Sequence, residues 1–174
     1  MSALARKRLI GLFLAVLIFV ADQWTKFHIV ETIRLMHTGP IEVLPFFDLT
    51  FVRNTGVSLG IFAADSVEVK YALILVTGAI ALFVFGWMLR EKAMAEIAAL
   101  ALVLGGAAGN IRDRFSYGYV VDFIDIHFGG WTPFVFNIAD AAITIGVLII
   151  LARSLLSREK PEAEAETAPK GLNP

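Results

Sequence analysis

The residues most able to do chemistry in this chain are a handful of carboxylates, amides and one guanidinium set among apolar neighbours. Asp140 sits in the run Phe134-Val-Phe-Asn-Ile-Ala-Asp-Ala-Ala-Ile-Thr144, with Asn137 three positions before it and so on the same face of a helix. Two further aspartates lie in Val120-Val-Asp-Phe-Ile-Asp-Ile126. If that segment is a strand, Asp122 and Asp125 point to opposite faces, and the alternation alone leaves open which one faces the helices. Asn110 and Arg114 are spaced i,i+4 at the end of Gly105-Gly-Ala-Ala-Gly-Asn-Ile-Arg-Asp-Arg114, which aims an amide and a guanidinium the same way. Asp22 and Lys26 have the same spacing with the acid first, a favourable helical ion pair whose expected role is anchoring. Asn54, in Arg53-Asn-Thr-Gly56, reads equally as a turn former and as a site amide.

Two carboxyl groups in a partly desolvated site share one proton, because both cannot ionise easily. The ionised member can take a proton from water, while the protonated one hydrogen-bonds a scissile carbonyl. Neighbouring amides and Arg114 would hold such a pair and stabilise an oxyanion. That chemistry needs no metal, cofactor or nucleophilic side chain. The chain contains no cysteine, and its three histidines, His28, His37 and His127, form no ligand pair at helical spacing. Gly56-Val-Ser-Leu-Gly60 matches the nucleophile string of serine hydrolases, but that string needs a strand-to-helix elbow and a His–acid pair, so it is read as coincidence.

Composition says what must position these groups. Of 174 residues, 57% are hydrophobic and 18% charged, against about 45–50% and about 25% in soluble domains. So small a body cannot bury that excess inside itself, which makes lipid the solvent. A net charge of -1 excludes the basic footprint of a nucleic-acid binder. Four segments approach the roughly 20 apolar residues that cross a bilayer: about 9–29, 71–89, 94–111 and 134–152. The first resembles a signal peptide, but Asp22 directly follows Phe19-Val20-Ala21 without a small-x-small cleavage site, and it is read as a retained span.

Basic residues concentrate at Arg6, Lys7 and Arg8, in the turn with Arg90 and Lys92, and at Arg153, Arg158, Lys160 and Lys170. Lys26, Arg34, Arg53, Lys70, Arg112 and Arg114 are spread over longer stretches. The bias places both termini in the cytoplasm and leaves external loops of about 30–70 and 112–133. Residues 41–53 and 117–127 are rich in strand formers, so two short strands are expected to pair above the helices. On this topology the polar constellation gathers at or just inside the external face, with Asp140 about six residues into the last span, roughly 10 Å below its end. A charge within a span costs about 2.5–3.5 kcal/mol, which marks Asp140 as functional. Residues 1–156 form one domain, and 157–174, rich in Pro, Ala and Glu, are expected to be a disordered tail.

Five blocks in order resemble the lipoprotein signal peptidases (signal peptidase II): Asp22-Gln-Trp-Thr-Lys26, Arg53-Asn-Thr-Gly56, Gly105 to Arg114, Val121-Asp-Phe123 and Phe136-Asn-Ile-Ala-Asp140. The resemblance covers roughly residues 9–152. It implies a mainly α membrane protein of four transmembrane helices, with a small external β-sheet cradle and a loop helix over the site. It further implies an aspartic endopeptidase of the bacterial cytoplasmic membrane. The substrate would be a prolipoprotein carrying diacylglycerol on its lipobox cysteine, cut just before that cysteine, with no obligate protein partner. The family's catalytic pair falls on Asp122 and Asp140, and its supporting positions on Asp22, Lys26, Asn54, Asn110, Arg114 and Asn137. Arg53 and Ser58 depart from the family's commoner aromatic and alanine. The main alternative is a small proton-coupled transporter subunit, which would spread polar residues through the membrane depth; the inner halves of spans one, two and four are instead essentially apolar.

Overall fold

A computed structural model describes residues 1–56, 67–129 and 131–167, with 157–167 described by backbone alone. Four long helices form the bundle: α1 (Ala3–Phe27), α3 (Val67–Arg90), α4 (Met94–Tyr117) and α5 (Ile138–Thr167). Between α1 and α3 run a π-helical turn (His28–Thr32), the single-turn helix α2 (Leu35–Thr38) and strands β1 (Ile41–Leu44) and β2 (Phe47–Asn54). Strands β3 (Val120–Ile126) and β4 (Val135–Phe136) join α4 to α5. The four strands form one antiparallel sheet in the order β1-β2-β3-β4.

Helices α3 and α4 and the Ile138–Leu156 part of α5 are long and apolar enough to cross a membrane. In α1 the apolar run from Leu9 to Ala21 lies between Arg6-Lys7-Arg8 and the Asp22–Lys26 pair. The bundle is organised around α4, which packs against α1, α3 and α5. Ala15, Val84, Met88, Ile97, Leu100, Ala101 and Val103 form the core between α1, α3 and α4. By contrast α3 leaves Leu75, Leu82 and Phe83 about 70% exposed, an apolar surface that only lipid solvates without cost.

Close helix approach depends on α4 glycines. A Cβ on Gly106 would collide with the carbonyl oxygen of Ala139 in α5, and one on Gly109 would collide with the Asp22 carboxylate from α1. At the far end of α4, Gly118 takes a left-handed conformation (φ 86°), caps the last turn with its N–H on the Arg114 carbonyl, and turns the chain into β3.

The sheet matches the expected pairing of residues 41–53 with 117–127: β2 and β3 pair antiparallel, Val52 opposite Asp122 and Asp48 opposite Asp125. A second core of Ile29, Leu35, Val121 and Phe123 seats it on the π-turn and α2. These are the helical turns described within the first loop; residues 57–66, including Ser58 of the serine-hydrolase string, lie outside the described residues.

Two boundaries differ from expectation. The segment expected to begin the last span at 134 starts instead as β4, and α5 begins only at Ile138. Val135 and Phe136 pair with Asp125 and Ile124, because a strand edge on β3 satisfies backbone that Pro133 and the Asn137 cap keep out of the helix. Secondly, α5 continues past 156 to Thr167, where a disordered tail was expected. Ala and Glu are strong helix formers, and a helix already nucleated by packing propagates into them. Residues 168–174 lie outside the described residues.

Candidate active site

Asp140 lies in the first turn of α5, not six residues inside it, and the sequence makes that turn. Asn137 is the N-cap: its Oδ1 accepts from the Asp140 N–H at 2.9 Å, while Asp140 Oδ2 accepts from the Asn137 N–H at 3.3 Å. This reciprocal arrangement is a capping box built from Asn and Asp. It leaves Asp140 at the positive end of the helix dipole.

The Asn137 side chain also reaches β3. Its Nδ2 donates to Asp122 Oδ1 at 2.6 Å, with longer contacts to the Val121 carbonyl at 3.3 Å and Asn110 Oδ1 at 3.4 Å. On its other oxygen, Asp122 accepts from Asn54 Nδ2 at 2.9 Å. Asn54 Oδ1 accepts from the Gly56 N–H at 2.8 Å, so this residue is both the turn former and the site amide between which the sequence could not choose. Asn110 Nδ2 donates to Asp140 Oδ1 at 2.8 Å. Thus three amides, from β2, α4 and the head of α5, hold the two carboxylates.

Asp122 is 2% exposed. Burial pushes its carboxyl up to about 6; the neighbouring Asp140 adds to this, while the donated bonds from Asn54 and Asn137 and the Lys26 charge oppose it. The Arg114 guanidinium is half-buried within electrostatic reach of Asp140, Asp122 and Asp113. Its Nε has no partner among the described residues, and a Cβ on Gly56 would lie 3.3 Å from its Nη2. Asp125 takes no part: its Oδ2 accepts from Thr50 at 3.1 Å, as period-two alternation requires for a residue three positions from Asp122.

Beneath the pair lies a buried ionic cluster. Lys26 Nζ is 2.9 Å from Asp22 Oδ2, 2.8 Å from Asp113 Oδ2 and 3.2 Å from Asn110 Oδ1. Asp22 Oδ1 accepts from the Ala139 N–H at 3.0 Å, satisfying another donor at the head of α5. The expected i,i+4 pair is therefore formed, and it anchors α1 to α4 and α5. Asp113 and Gln23 complete the cluster, with Gln23 Nε2 3.0 Å from both Asp22 Oδ2 and Asp113 Oδ1. Neither residue stands out along the chain. Asp113 is flanked by Arg112 and Arg114 and looks like part of a solvated charge run; the usable signal was that a buried lysine with one acid invites a second.

A helical membrane bundle presenting two aspartates in a common amide network, with one carboxyl raised by burial, defines the class of intramembrane aspartic hydrolases. The family model described as "Signal peptidase (SPase) II" matches residues 14–156, and the chain belongs to that family of aspartic peptidases. It is similar to the lipoprotein signal peptidase of Sphingopyxis alaskensis, 49% identical over 151 residues covering 86% of this chain and 87% of the relative. That of Rhizorhabdus wittichii is 49% identical over 160 residues, covering 91% and 92%. A bacterial membrane enzyme solved by the in meso method at 1.9 Å resolution superposes with a TM-score of 0.72 at 33% identity, covering 84% of this chain and 92% of the other. None of these similarities supports the transporter alternative.

Proposed function

We propose that Asp122 and Asp140 are the catalytic pair with which this signal peptidase cuts diacylglyceryl-modified prolipoproteins just before the lipidated cysteine. The observation that carries the reading is Asn137, whose amide and backbone hold one oxygen of each carboxyl group. Asp122, raised to about 6 by burial, is the member of the pair that carries the shared proton in the active form, and Asp140 is the base. Asp140 takes a proton from water, and the oxygen attacks the scissile carbonyl carbon. Asp122 passes its proton to the carbonyl oxygen, giving a tetrahedral intermediate beside Arg114. Collapse returns that proton to Asp122 and breaks the C–N bond, while Asp140 hands its own proton to the departing nitrogen. The products are a signal peptide with a new carboxyl terminus and a lipoprotein with a free amine on its cysteine. Asp22, Lys26, Asn54, Asn110 and Asn137 position the pair.

The membrane supplies part of the orientation. Two acyl chains fix the substrate cysteine near an interface, which lowers the entropic cost of docking. The distribution of Lys and Arg supports termini in the cytoplasm of a bacterial inner membrane, with the sheet and both aspartates at the outer face. The test is cleavage in detergent of a prolipoprotein with and without its diacylglyceryl group, by wild type and by Asp140→Asn. Cleavage by wild type alone, and of the lipid-modified substrate alone, is expected; equal processing by Asp140→Asn overturns the reading.

A further inference from the structure

Among the described residues Asp113 bonds neither carboxylate of the proposed catalytic pair, yet its contacts lead to both halves of it. Its Oδ2 accepts from the Val121 N–H at 3.2 Å, one residue before Asp122 in β3. The same oxygen lies 2.8 Å from Lys26 Nζ, which donates to Asn110 Oδ1 at 3.2 Å; Asn110 in turn donates to Asp140 Oδ1 at 2.8 Å. Asp113 is fully buried, as are Asp22 and Lys26. The three ammonium donors of Lys26 are matched by Asp22, Asp113 and Asn110.

We propose that Asp113 is a positioning residue for peptide hydrolysis: it sets the register of β3 against the Lys26–Asn110–Asp140 chain and counterbalances the Lys26 charge beside Asp122. The inference rests on the dyad reading above. A lysine with two acids carries a net negative charge; with Asp22 alone it would be neutral, and the field at Asp122 would be more positive. The other ionisable groups facing Asp122 among the described residues are Arg114 from α4, itself within reach of Asp113, and Asp140 from α5. Both stay in place when Asp113 is replaced, and an Arg114 charge less offset by Asp113 makes the field at Asp122 more positive still. A more positive field favours ionised Asp122, so the dyad loses its proton at lower pH. A residue that only stiffened the scaffold would lower the amount or rate of active enzyme without moving that limb.

The experiment measures kcat and KM against pH for the full-length enzyme in detergent, on one lipid-modified prolipoprotein, for wild type, Asp113→Asn and Asp113→Glu. For Asp113→Asn the expected result is a kcat lowered roughly tenfold to a hundredfold, little change in KM, and a basic limb shifted down by about half a pH unit or more. Asp113→Glu keeps the charge on a longer arm, so its limb returns to the wild-type pH while kcat recovers in part. A wild-type kcat in Asp113→Asn, or a lowered kcat with the limb unmoved, overturns the proposal. If Asp113→Asn does not accumulate as folded protein, Asp113→Glu decides: a displaced limb there overturns it. An Asp140→Asn control separates the two readings, since cleavage by that variant removes the dyad itself, whereas an inactive control beside an unmoved limb removes only the role of Asp113.

Discussion

Asn137 and Asp140 cap each other: the Asn137 Oδ1 accepts the Asp140 N–H at 2.9 Å, and the Asp140 Oδ2 accepts the Asn137 N–H at 3.3 Å. The start of α5 and the placement of one candidate catalytic carboxylate are therefore a single structural event. Because Asn137 also donates to Asp122 at 2.6 Å, the helix cap and the dyad bridge are separable by mutation. Asn137→Ser retains an oxygen for capping but lacks the amide Nδ2 that reaches Asp122, so thermal stability in detergent should stay near wild type while cleavage falls steeply. Asn137→Ala should lose cleavage and in addition about 1 kcal/mol of stability from the missing cap.

The three aspartates of β3 and α5 should separate cleanly in a cleavage assay. Asp122→Asn and Asp140→Asn are expected to abolish processing while remaining folded and inserted. Asp125→Asn should retain most activity, since the Asp125 side chain bonds Thr50 and, among the described residues, neither Asp122 nor Asp140. Substantial loss in a normally expressed Asp125→Asn protein would contradict this division of the strand's two faces.

Burial raises the Asp122 carboxyl from 3.8 to about 6, and the sign of its effect on stability follows. Between those values the folded protein binds more protons than the unfolded chain, so this group's contribution worsens as pH rises through the window and is fully unfavourable above it. Asp122→Asn removes the desolvated charge. Its melting temperature should exceed that of wild type near pH 8 and converge with it near pH 4, although the variant is inactive at both. Equal melting temperatures at the higher pH would show that the site carries no such strain.

Lys26 is the cation that bridges two fully buried acids, Asp22 and Asp113. Lys26→Met leaves Asp22 and Asp113 without their counter-ion, a change expected to cost about 3–5 kcal/mol and to reduce folded protein in membranes sharply. Asp22→Asn should be milder than Asp22→Ala, because the amide oxygen can still accept from the Ala139 N–H at the head of α5. Comparative thermal unfolding of the three variants checks the order.

Close packing at the α4–α5 contact makes a further contrast measurable. A Cβ on Gly106 meets the Ala139 carbonyl oxygen, one residue from Asp140, whereas Gly78 and Gly86 on α3 face open space. Gly106→Ala should displace the head of α5 and lower cleavage by roughly tenfold or more. Gly78→Ala should leave cleavage unchanged.

Much of this protein was legible along the chain because the signals are local. Apolar runs long enough for a bilayer marked the helices, and the alternating stretches at 41–53 and 117–127 marked the strands. The i,i+4 spacing of Asp22 and Lys26 foretold their ion pair. Sequence order alone also separated Asp122 from Asp125 onto different faces, since side chains alternate along any strand. Which face met the helices was a tertiary matter, decided when β3 laid Asp122 against Asn54 and Asn137. Likewise the start of α5 depended on Val135 and Phe136 finding a strand partner in β3, a contact that no helical periodicity encodes. Asp113 stayed hidden between two arginines until folding brought Lys26, Gln23 and the Val121 N–H around it. Local composition thus determined which segments enter lipid, because that choice depends on each segment's own transfer free energy. Folding alone decided which buried charges meet, because desolvated groups must find partners from elements distant in the chain.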